Sequence, residues 1–167
     1  MKNEISTILG LDPGYDRLGW AIGIIENDQW KIIKLGCIQT NRKDELFSRY
    51  KDLSDQLKVV IANNRPTVAS IESLFFFKNK KTALKVSESR GVVLGVLLDN
   101  KIPIYEYTPL QIKQAVTGYG KADKKAVEKM VRMEFKNFKA KIIDDAIDAL
   151  AVAMTHVIRN KNRKFYA

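Results

Sequence analysis

The chain has 167 residues, a hydrophobic fraction of 46% and a formal net charge of +10. This length allows one substantial core and is short for two domains, and the apolar content excludes a disordered tail. The single cysteine, Cys37, excludes an intrachain disulfide and a cysteine-rich zinc module, while no apolar run approaches the roughly 20 residues of a membrane span.

Residues 5–12 form an apolar run stopped by Pro13-Gly14, which predicts a strand. Residues 19–26 predict a second strand, the pair Asn27-Asp28 a turn, and residues 30–38 a third, together an antiparallel meander. Leu46, Tyr50, Leu53, Leu57, Val60 and Ile61 recur at three- and four-residue intervals, so a helix is expected over about 43–63. Pro66 separates it from a strand over 67–72. A second helix is expected over 80–99, then a short strand over 102–107, with Pro103 near its start or at a sheet edge. Pro109 suits the first turn of a short helix reaching about Val116. Thr117-Gly118-Tyr119-Gly120 reads as a loop, and Asp123 as the cap of a helix running to about Phe135. A last helix is expected over 143–159. A meander followed by alternating helices and strands predicts an α/β fold, one mixed sheet covered by helices. The domain is expected over 1–160, with a basic tail over 161–167. Met1-Lys2-Asn3-Glu4 leads into the first strand without a long apolar leader, and a cytoplasmic setting is the expectation.

The basic excess points to nucleic acid rather than an acidic lipid surface, because no basic amphipathic anchor stands out. Against that background four acids matter. Asp12 and Glu72 each end an apolar run, while Asp145 and Asp148 lie three apart on one face of the alanine-rich last helix. Taken singly, Asp12 reads as a turn residue, Glu72 as a strand end reaching water, and the aspartates as helix-initiating charges. Taken together, they are four hard-oxygen donors delivered from two strand ends and one helix. The small residues after Asp148 allow that helix to pack close to the sheet. Clustered carboxylates repel unless cations neutralise them, and this donor set suits magnesium, with manganese as a substitute. Two ions about 4 Å apart are expected to activate water and stabilise a departing 3′-oxygen. Asp12, on the central strand, is the expected bridging ligand.

Several segments are similar to the RuvC family of Holliday-junction resolvases, which have a ribonuclease-H-like fold. The resemblance runs through Gly10-Leu11-Asp12-Pro13-Gly14, then Ile71-Glu72-Ser73-Leu74-Phe75-Phe76 with Asn79, then Ala83-Leu84-Lys85 and Ser89-Arg90-Gly91. It continues through Tyr107-Thr108-Pro109, Ile112-Lys113-Gln114-Ala115-Val116, Gly118-Tyr119-Gly120-Lys121-Ala122-Asp123-Lys124 and Asp145-Ala146-Ile147-Asp148-Ala149-Leu150-Ala151. It covers nearly the whole chain in order. It implies a mixed five-stranded sheet flanked by helices, catalytic acids at Asp12, Glu72, Asp145 and Asp148, and magnesium-dependent phosphodiester hydrolysis. The implied substrate is a four-way DNA junction, nicked by a homodimer to leave 5′-phosphate and 3′-hydroxyl ends, with RuvA–RuvB as branch-migration partners. Lys113 and Lys124 match family positions that approach the scissile backbone, Lys124 among the catalytic residues. Phe75 matches a residue expected to stack in the opened junction centre. Lys121 and Arg90 extend the expected DNA surface. The chain departs from the family pattern at Leu18, where Thr is common, and over Ser87-Glu88-Ser89, where Gly-Gln-Ala is common. Competing readings are a branched-DNA or structured-RNA nuclease and a non-catalytic junction binder. His156 reads as structural.

Overall fold

Alternation along the first strand sets the layout of the molecule. In β1 (Ser6–Pro13), Leu9 and Leu11 bury against one layer of helices, while Ile8 and Gly10 face the other. Asp12 is next on that second side, because successive residues of a strand point to opposite faces. The computed structural model describes residues 6–27, 29–74, 80–134 and 143–164.

β2 (Arg17–Glu26) and β3 (Gln29–Gln39) continue the chain as the expected antiparallel meander. After α1 (Leu46–Asn64), β4 (Val68–Glu72) returns parallel to β1; after α2 (Lys80–Asp99), β5 (Ile104–Tyr107) pairs parallel with β4. The five-stranded sheet has the order β3-β2-β1-β4-β5, which makes β1 central. The chain closes with α3 (Pro109–Thr117), α4 (Lys124–Glu134) and α5 (Asp144–Lys164). This mixed sheet is the ribonuclease-H-like α/β arrangement.

Each face of the sheet has its own core. Leu53, Leu57 and Ile61 of α1 and Val93, Val96 and Leu97 of α2 pack against Leu9, Leu11, Leu18, Ile22 and Ile71. On the opposite face, α5 contributes Ile147, Leu150 and Val152, joined by Ile112 and Val116 of α3 and Val127 and Val131 of α4. α5 lies unusually close to the sheet. A methyl group added at Gly10 would overlap the Ala149 carbonyl, and one at Gly19 would overlap the Asp145 carbonyl. The two strand glycines supply the space in which the helix backbone rests.

Local signals explain most element ends. Thr108 and Gln111 form a reciprocal capping box at α3, with Pro109 at its start. Asp123 accepts from the Ala126 N–H at 2.7 Å, as expected of a cap for α4. Two boundaries differ from the expectation. α1 begins at Leu46 rather than near residue 43, because Asn41 engages both Lys43 N–H and Asp44 in a local side-chain turn that competes with helix. α5 continues to Lys164, into the segment expected as a basic tail. Among the described residues no helix is long and apolar enough to cross a membrane. Cys37 is a half-buried free thiol on β3.

Candidate active site

The register of β1 and β4 builds the first half of the site. Leu11 pairs with Ile71, so the next residues, Asp12 and Glu72, stand side by side at the ends of parallel neighbours. Adjacent strands are about 5 Å apart. Both acids lie on the face covered by α5. The second half comes from that helix. Asp12 is paired with Gly19 across β1 and β2, and Gly19 is the residue on which the Asp145 backbone rests. One turn further along α5, Asp148 borders the same groove as Glu72. The sheet register and the two glycines therefore bring together acids from opposite ends of the sequence, from Asp12 to Asp148.

The electrostatics record this convergence. Burial, followed by repulsion from Asp148, Glu72 and Asp145, pushes the Asp12 carboxyl from 3.8 up to about 7, with Lys124 pulling the other way. Burial and the Asp148 charge also raise Glu72, against the opposing effect of Lys124 and Lys113. Two intramolecular cations relieve part of the strain. Lys124 Nζ donates to Asp148 Oδ2 at 2.7 Å, and this bond raises the lysine above its ordinary value. Arg17 Nη1 lies 3.4 Å from Asp145 Oδ2. Among the described residues no three acids converge as a ready-made metal cage. The donor chemistry nevertheless fits a hard divalent cation: four carboxylates, one pushed up to about 7 by burial and by its acidic neighbours, are an anionic cluster short of positive charge.

Two hollows open beside the acids. One, about 350 Å³, is lined by Asp12, Pro13, Gly14, Glu72, Ser73, Leu74, Val86 and Pro109. The other, about 240 Å³, lies between α3, α4 and α5, with Lys113, Lys124, Glu72 and Asp148 all on its lining. Lys113 and Lys124 therefore border the acid cluster, and Lys121 is exposed in the turn before α4. Arg90 stands apart from the acids. It donates to Glu106 of β5 at 2.6 Å, and its Nε is buried without a partner among the described residues. Phe75 and the following residues through Asn79 lie outside the described residues. His156 is buried on α5, about two turns beyond Asp148, where its Nδ1 meets Tyr107 Oη at 2.9 Å and burial lowers its pKa.

Sequence reasoning missed Arg17 as the partner of Asp145, and it missed what supports the Asp12 turn. Arg49, buried at a position of α1 that faces the core, donates to Thr40, to the Tyr15 hydroxyl and, at 2.6 Å, to Asp16. Tyr15 lies between two cations, with Arg49 4.7 Å and Lys85 4.6 Å from its ring centre. The glycines inside apolar strands were a readable signal of close backbone approach. The cation pairs were not, since each joins residues far apart in sequence.

Known proteins resemble the chain along most of its length. The family model described as "Crossover junction endodeoxyribonuclease RuvC" matches residues 8–156. The curated RuvC of Petrotoga mobilis is 45% identical over 149 residues, covering 89% of this chain and 91% of the relative. That of Caldicellulosiruptor saccharolyticus is 42% identical over 158 residues, covering 93% and 94%. A structure of T. thermophilus RuvC in complex with a Holliday junction substrate superposes with a TM-score of 0.86 at 28% identity, covering 95% of this chain and 96% of that one. The sheet order, the four acids carried by β1, β4 and α5, and these matches agree: the chain belongs to the RuvC family of crossover junction endodeoxyribonucleases.

Proposed function

We propose that the chain resolves four-way DNA junctions by paired, magnesium-dependent phosphodiester hydrolysis that leaves 5′-phosphate and 3′-hydroxyl nicks. The observation that carries this reading is the register that sets Asp12 beside Glu72 on the face covered by α5, where Asp148 borders the same groove. Asp12, Glu72, Asp145 and Asp148 would hold the cations, with Asp12 in the central position. Once bound, two magnesium ions supply neutralisation of the cluster, a water acidified for attack and stabilisation of the departing 3′-oxygen.

The protein's own groups do the positioning. Lys124 leaves Asp148 for a DNA phosphate, where its ammonium serves as a mobile point charge. Lys113, which lines the same groove, holds a second phosphate. Lys121 extends the positive track, and the net charge of +10 favours encounter with DNA. Arg90 reaches DNA only by releasing Glu106. Phe75 stacks on a base at the junction centre. A homodimer presents two such centres to strands of like polarity, and a RuvA–RuvB type complex supplies the migrating junction.

Equal phosphate concentrations of immobile four-way junction, duplex, flap and structured RNA test the proposal, each with magnesium or with EDTA. The expected result is symmetric nicks in the junction with magnesium, none in EDTA, and junction binding without nicking by Asp12→Asn. Faster turnover of RNA, or nicking that persists in EDTA, overturns it. Binding by the unmodified chain without any nicking returns the reading to a junction binder.

A further inference from the structure

The loop between α3 and α4 carries a large exposed aromatic that the acid site does not use. Tyr119 is 60% exposed, and among the described residues its ring packs on no other aromatic ring and no cation. Exposed aromatics are ordinary on mobile loops, but this loop is tied on both sides of the tyrosine. Gly118 ends α3 in the left-handed region, with φ 77°, and its N–H bonds back to the Gln114 carbonyl. The Gln114 side chain then holds both flanks of the tyrosine: Nε2 donates to the Gly118 carbonyl at 2.8 Å, and Oε1 accepts from the Gly120 N–H at 2.9 Å. Tyr119 N–H donates to Thr117 Oγ1, which in turn donates to the Lys113 carbonyl. The Tyr119 carbonyl accepts from Ala122 N–H at 3.0 Å. The ring is thus held out on a fixed backbone, at little further entropy cost on binding.

Its location is as informative as its rigidity. The loop folds back along α3, because an added methyl at Gly120 would lie 3.3 Å from Leu110 Cγ. Leu110 is itself 62% exposed and follows Pro109, which lines both hollows beside the acids. In the chain, Lys113 follows Leu110 on α3 and Lys121 follows Tyr119 in the loop. Lys113 is less than two helical turns from the end of α3, on the order of 10 Å from Tyr119, a span covered by at most about three nucleotides. Lysines that hold phosphates, interleaved with an aromatic and an aliphatic side chain, form the pattern of a single-strand stacking platform.

We propose that Tyr119 is a base-stacking residue that sets which phosphodiester is nicked. Its ring takes the face of an unpaired nucleobase within about three nucleotides of the scissile phosphate, with Leu110 against the adjoining sugar. This rests on the junction-nuclease reading above. The platform needs the base free of its pair, as at the branch point, so it would favour one placement of the branch over its neighbours.

The test uses a four-way junction with 2-aminopurine placed in turn at each of the three nucleotides on either side of the nick. In the uncleaving Asp12→Asn chain, the probe at one position is quenched on binding. Adding Tyr119→Leu, which keeps apolar bulk, abolishes that quench, while adding Tyr119→Trp keeps it. In the otherwise unmodified chain, Tyr119→Leu lowers cleavage at the preferred phosphate by roughly tenfold and spreads nicks to neighbouring phosphates. Tyr119→Phe retains the original pattern, and thermal midpoints stay together. An unchanged quench and nick map in Tyr119→Leu, with junction preference intact, overturns the stacking role and leaves the nuclease reading standing. Loss of junction preference in the unmodified chain overturns both.

Discussion

Asp12→Asn should stabilise the cation-free protein at alkaline pH and cease to do so in acid. The Asp12 carboxyl rises from 3.8 to about 7 on folding because it is buried and faces Asp148, Glu72 and Asp145. A group whose native pKa exceeds its unfolded value binds more protons when folded, so stability falls as pH rises between the two values. A rise to about 7 corresponds to a native-state penalty of about 4 kcal/mol on the ionised form, fully present above pH 7 and absent below about pH 4. Local relaxation and water entry reduce it, and about 2 kcal/mol is the realistic expectation. For a chain of this size that is a thermal midpoint roughly 4–8 °C higher for Asp12→Asn at pH 8. The assay is thermal or urea denaturation of both proteins in EDTA from pH 4.5 to 8.5. The difference should grow with pH and shrink when magnesium is added, since the cation binds the unmodified cluster more tightly. Equal stabilities at pH 8, or a difference independent of pH, would refute the claim that burial and the neighbouring acids together hold the Asp12 carboxyl up.

Gly19→Ala places a methyl group on the Asp145 carbonyl, so α5 must move. A loss of about 2 kcal/mol in urea denaturation is expected, with nicking reduced more than tenfold at a temperature where the variant remains folded. Parallel losses of folding and nicking would detach the helix position from the site. Arg49→Met removes the donor that binds Asp16, Thr40 and Tyr15 in a buried setting. About 3 kcal/mol of stability should be lost, the lower end of the usual range because Arg42 still pairs with Asp16 at 2.7 Å; a loss below about 1 kcal/mol would show that the node is dispensable.

The readable parts of this fold were those whose physics is local. Apolar runs stopped by Pro13-Gly14, the four-residue spacing of Leu53, Leu57 and Ile61, and the caps at Thr108 and Asp123 act over a few residues, and each is found where expected. The acid site was legible for a different reason: Asp12 and Glu72 each close a strand, and strand ends of one parallel pair must be neighbours. What stayed hidden depends on contacts that chain order does not encode. Nothing near Lys124 in sequence announces Asp148, and nothing near Arg17 announces Asp145. Arg49 sits among the apolar positions of α1 as though it belonged on the surface, and only the fold supplies the carboxylate and hydroxyls that make its burial tolerable. The start of α1 was missed because an asparagine turn at Asn41 outcompetes helix before the first apolar residue.

The intimate seating of α5 on Gly10 and Gly19 has a consequence for how such a catalyst can vary. The same rod roofs the sheet and carries two of the carboxylates, so a cavity opened beneath Leu150 would be felt by Asp148 two residues away. Thermal adaptation and turnover are therefore geared to one another here. Repacking to suit a hotter or colder setting would have to proceed in matched steps on both sides of that seam.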